Sequence, residues 1–151
     1  MTLRKAIFTA VKQRLKTIQA LELVDYNRNQ FAGERVPNAF TAGLIKIMPL
    51  QVEAMTNHQV EGDITIQVSL FTKDGWLNQY AANDFIEIDL IDEVIEALHM
   101  IELSHFDKLK LVREDEIQNT GKAAWGYILE FQTKTLRSFN YPYSNKTISI
   151  Q

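Results

Sequence analysis

Between Gly62 and Thr72 the chain alternates strictly: Ile64, Ile66, Val68 and Leu70 are separated by Thr65, Gln67 and Ser69. Period two marks an extended strand whose successive side chains point to opposite faces. One face therefore lies on a core and the other in water. The polar face carries hydroxyls and an amide but no charge. Two readings fit it: ordinary surface, or a contact face for another subunit.

Two amphipathic segments can cover the apolar face. Leu3, Ile7, Val11, Leu15 and Ile18 recur at helical spacing, which predicts a helix over 3–19 with Thr2 as N-cap. Phe85, Ile88, Ile91, Val94, Ile95, Leu98 and Ile101 predict a second helix over 84–102. Asp84 followed by Glu87 resembles a capping box there. This second helix carries Glu87, Asp89, Asp92, Glu93, Glu96 and Glu102, with no Lys or Arg before Lys108. Like charges at i,i+4, such as Asp89 with Glu93 and Asp92 with Glu96, repel rather than support a helix. The face is either solvated or turned toward a basic surface on a neighbour.

Further strands are expected at Leu21–Val24, at Phe40–Met48 and over 108–117. The turn Asn119-Thr120-Gly121-Lys122 then leads into a long strand over 123–135, which closes a hairpin. Phe139, Tyr141 and Tyr143 flank Pro142 in an aromatic tail that docks either on this domain or on a neighbouring copy. The expected class is α+β: a mainly antiparallel sheet with two amphipathic helices packed on one face, a C-terminal β-hairpin and an extended tail. Residues 1–136 form the domain and 137–151 the extension.

The 151 residues, 46% of them hydrophobic, suit one domain that holds together without disulfides or metal. Cysteine is absent, which excludes thiol catalysis and thiolate metal sites. Neither a signal peptide nor a membrane span is expected. A net charge of −3 argues against general nucleic-acid binding.

Catalytic patterns are lacking. His58, His99 and His105 have no metal-ligand spacing, and no serine sits in a Gly-x-Ser-x-Gly turn. The glycines at 33, 43, 62, 75, 121 and 126 form no phosphate-cradling loop. No catalytic residue, cofactor or metal is expected, and the chain is read as a non-enzyme.

The order of elements resembles the tail-completion or tail-terminator family of long-tailed bacteriophages. The matching pieces are Leu3–Ile18, Val36-Pro37-Asn38-Ala39-Phe40 with Leu44–Ile47, and Ile64–Phe71. The helix Ile88–Leu98 and the closing run Trp125–Phe131 complete the set. The segment between Pro49 and Gly62 and the tail after Arg137 depart from the family outline. The resemblance implies a virion protein at the tail–neck junction, assembled in the host cytoplasm. It implies a ring, commonly six-fold, that caps the tail tube and meets the tail tube protein and the head-side connector. DNA would only pass through its lumen, and no membrane is involved.

Within that reading the acidic helix residues Asp89, Asp92, Glu93 and Glu96 form one candidate interface. Thr65, Gln67 and Ser69, with the 49–62 segment, form another, and Phe139, Tyr141 and Tyr143 a third. The competing readings are another head–tail adaptor, or a small-ligand-binding α+β domain with Trp76, Tyr80 and Trp125 in a pocket.

Overall fold

The computed structural model describes residues 3–33, 37, 41–49, 51–54, 59–73, 86–103 and 106–138. The predicted α+β class is observed. Helix α1 (Leu3–Leu15) turns Ile7, Val11 and Leu15 into the core. It ends four residues short of the predicted end. Thr17 explains the stop: its amide and its hydroxyl both donate to the Arg14 carbonyl, tightening the last turn. Ile18 still reaches the core from that turn.

Among the described residues six strands follow: β1 (Leu23–Tyr26), β2 (Thr41–Ile47), β3 (Gln51–Ala54), β4 (Gln59–Lys73), β5 (Lys110–Glu116) and β6 (Ala123–Ser138). Helix α2 (Ile86–Leu98) lies between β4 and β5. The sheet order is β1-β2-β4-β6-β5, with β3 also paired to β4. Every pair is antiparallel except β1 with β2, which is parallel.

Strands β2 and β3 continue one another along β4. Ile47 pairs with Ile66 and Gln51 with Asp63, so three residues on one side span two on the other. The surplus falls around Pro49, which has no amide hydrogen to give to a ladder. Much of the segment between Pro49 and Gly62 is thereby paired β structure.

Both helices cover the same face. Leu90, Val94 and Leu98 of α2 join the α1 residues over Ile45, Ile64, Ile66, Val68, Leu70, Leu129 and Phe131. The other face has its own smaller cover. The link from β1 to β2 carries a 3-10 turn (Gln30–Ala32) whose Phe31 packs on Ala42, Leu44 and Phe71. The Phe31 and Phe71 rings stack with centroids 4.9 Å apart. The two crossovers, β1 to β2 and β4 to β5, step the same way across the sheet from strands that point in opposite directions. Right-handed crossovers must then lie on opposite faces, and these do.

The outer edges are partly capped by side chains. In β1 the amides of alternate residues go to β2, as Asn27 to Ile45 shows, which leaves the Tyr26 amide pointing outward. That amide donates to Oδ1 of Asp25 at 2.7 Å. In β5 the outward amide of Glu116 donates to Oδ1 of Asp115 at 2.9 Å, and that of Leu111 to Nδ1 of His99 at 3.0 Å. An open row of amides invites strand addition, and these contacts remove part of it. Changing Asp25 and Asp115 together to Ala is expected to raise light scattering on mild heating, with little change in melting temperature. Unchanged scattering would show that the two carboxylates do not guard the edges.

Candidate functional site

The polar residues of the sheet and of α2 meet different fates. On the sheet face away from the helices, Gln67 donates to Oε1 of Glu130 at 3.1 Å. Arg113 reaches the same oxygen at 2.9 Å and Oδ2 of Asp115 at 2.9 Å. The Glu130 side chain is only 17% exposed. A carboxylate that far out of water is held by its partners, and this network neutralises it within the chain. A bulge in β5 between Leu111 and Arg113 shifts the register that sets Arg113 opposite Glu130.

Of the strand residues singled out as a contact face, Thr65 and Gln67 are half-buried and Ser69 is buried at 2% exposure. Ser69 sits between Leu44 on β2 and Ile128 on β6. Thus only Thr65 and Gln67 reach the surface. Phe139, Tyr141 and Tyr143 lie outside the described residues, as do Trp76, Tyr80, His58, His105 and Asp84.

Asp89, Asp92, Glu93 and Glu96 are all exposed on the side of α2 opposite Leu90, Val94 and Leu98. Ion pairs among the described residues join Arg28 to Asp25 and Arg113 to Asp115 and Glu130, and none involves these four. Ile88, 57% exposed, lies at the N-terminal end of the same helix. At the other end Met100, 45% exposed, has φ of 64°, a left-handed backbone in which a non-glycine residue is uncommon.

Helix α1 runs alongside α2 in the opposite direction. Nε of Arg14 donates to the Ala97 carbonyl at 3.1 Å, which caps an otherwise orphan acceptor at the end of α2. Two clefts flank this tie. One, of about 560 Å³, is lined by Ala10, Arg14, Glu96, His99 and Met100. The other, of about 620 Å³, is lined by Thr17, Ala20, Glu93, Glu96 and Ala97. Glu96 borders both.

Trp125 stacks on Tyr127 with centroids 5.9 Å apart, and both pack against the main core. Burial pushes the Tyr127 hydroxyl pKa above 10.0, and the Glu114 carboxylate beside it adds to the rise. A raised folded pKa favours the neutral phenol in the native state. Its stabilising effect is complete below the unfolded value and is lost as pH climbs through the folded value. Tyr127→Phe should therefore flatten the loss of stability above pH 10.0 and leave it unchanged at neutral pH, as read by urea unfolding. Equal alkaline slopes for both proteins would remove Tyr127 from the account.

Among the described residues no group of three or more His, Asp or Glu side chains is placed to hold a metal ion. Nor is any described helix long and apolar enough to cross a membrane. No protein-family model matches the chain, and no curated protein matches it. The sequence reading missed Phe31, the parallel β1–β2 pair, and the Arg113–Glu130 network. Phe31 follows a polar run and precedes Ala32-Gly33 with no apolar repeat around it, so no periodicity marks it. The other two depend on residues far apart in the chain.

Proposed function

We propose that this chain is a structural subunit that assembles with copies of itself into a ring, caps the end of a phage tail tube in the virion, and joins it to the head-side connector. The observation that carries this reading is the contrast between the two charged surfaces. On the sheet Arg113 pairs with Glu130 and with Asp115 inside the chain. On α2 four exposed carboxylates repel one another and form no ion pair among the described residues. Such a ridge costs helix stability in the isolated chain, and a basic partner surface offsets that cost. The partly capped sheet edges support the same reading, because they direct contacts away from unregulated strand addition.

A ring needs two different patches on each subunit, joined by a rotation that closes. The test is electron microscopy with light scattering on the purified protein, alone and mixed with tail tubes. Rings, or caps at one tube end, are the expected result. A monomer that never caps a tube at any concentration would overturn the proposal.

A further inference from the structure

Helix α1 and the turn after it, residues 3–21, carry Arg4, Lys5, Lys12, Arg14 and Lys16 and no acidic residue. Residues 86–103, which contain α2, carry Glu87, Asp89, Asp92, Glu93, Glu96 and Glu102 and no Lys or Arg. The two helices lie side by side on one face of the sheet, yet no ion pair joins them among the described residues. The reason is geometric. Helical spacing sets the half-buried Lys12 on the flank of α1 opposite Arg14, and the exposed Lys16 follows in the turn after the helix. The same spacing sets Asp92 and Glu96 on the outer side of α2. Arg14 reaches α2, where its Nε donates to the Ala97 carbonyl and it forms no ion pair with Glu96. The outer surface of the helix layer is thus divided into a basic strip and an acidic strip that do not satisfy each other within one chain.

We propose that this surface is a contact between copies of the chain, in which Lys12 on α1 and Lys16 in the turn after it of one copy lie on Asp92 and Glu96 on α2 of another. The contact rests on the reading of the chain as an assembling subunit, and names the two surfaces that meet. Charge complementarity selects a second copy as the occupant, since each chain carries both strips. Exposed Ile88 in the first turn of α2 and Met100 just past its end supply apolar area beside the charged contact. Lys12 lies over the Phe8 ring, 5.7 Å from its centroid, which holds its position on the outer strip.

Two variants test the contact. One carries Lys12→Glu with Lys16→Glu, the other Asp92→Lys with Glu96→Lys. Self-association is measured by light scattering and sedimentation over a concentration series, after circular dichroism has verified each fold. Wild type is expected to associate, and each variant alone to associate at least tenfold more weakly. An equimolar mixture of the two should regain wild-type association, because reversed strips then face each other again. The milder Asp92→Asn with Glu96→Gln guards against misfolding and should weaken association in the same direction. If wild type associates but the variants associate equally well, the helix layer is not the contact, and assembly by other surfaces stands. If wild type stays monomeric throughout, both this contact and the assembling function fall.

Discussion

Replacing Phe131 with Ala is expected to destabilise the fold by about 3–5 kcal/mol, a large part of the total for a domain of this size. Phe131 is fully buried in β6, the strand between β4 and β5. It is paired with Ile66 on one side and Leu111 on the other. Its ring belongs to the main core beneath the helices, together with Val94, Leu98 and Leu129. Truncation removes the transfer free energy of the ring and leaves a cavity that neighbours on two strands cannot fill without breaking register. Val112→Ala is the matched control, since Val112 is 52% exposed on the edge strand. Surface changes of that kind fall within about 0.5 kcal/mol. Urea unfolding of the two variants decides the matter. A Phe131→Ala loss no larger than the control's would mean that the helices do not close over β6.

The second large effect is expected at Gly121. Its φ is 64°, and a Cβ built there would lie 2.5 Å from the Phe31 carbonyl oxygen and 2.9 Å from the Phe31 carbonyl carbon. Both are backbone atoms, so no side-chain rotation relieves the clash. The neighbouring Lys122 amide donates to the same Phe31 oxygen at 2.8 Å, which holds the β5–β6 turn against the 3-10 turn. Gly121→Ala incurs about 1–2 kcal/mol from the left-handed backbone alone. It must also push Phe31 away from Phe71 and Leu44, so the total is expected to be greater. Gly33→Ala provides the contrast: φ is −82° and the nearest atom to a new Cβ is 3.7 Å away. In a double-mutant cycle, Phe31→Ala should cost much less once Gly121 is Ala, because the same packing is already lost. Additive losses would show that the turn and Phe31 are not coupled.

Gly121 also shows where sequence reading reaches its limit. The Asn-Thr-Gly-Lys run marks a turn by itself. That the glycine is also required by a carbonyl from ninety positions earlier is a matter of contact across the sheet. Ser69 is a similar case. The alternation assigns it correctly to the polar face, but Leu44 and Ile128 flank it there and it is buried. The α2 carboxylates are the opposite case: helical spacing alone put Asp89, Asp92, Glu93 and Glu96 on the outer side, and there they are exposed.

Periodicity in the sequence determined the two helices, the long strands β4 and β6, and the apolar face that each presents. It could do so because the 3.6 and 2.0 repeats are properties of a single element and its side-chain directions. The short β3, the parallel β1–β2 pair, the Phe31 cover and the Arg113–Glu130 pair were decided only by tertiary structure. Each depends on a partner distant in the chain, and a local repeat says which side of an element is apolar without saying what will cover it.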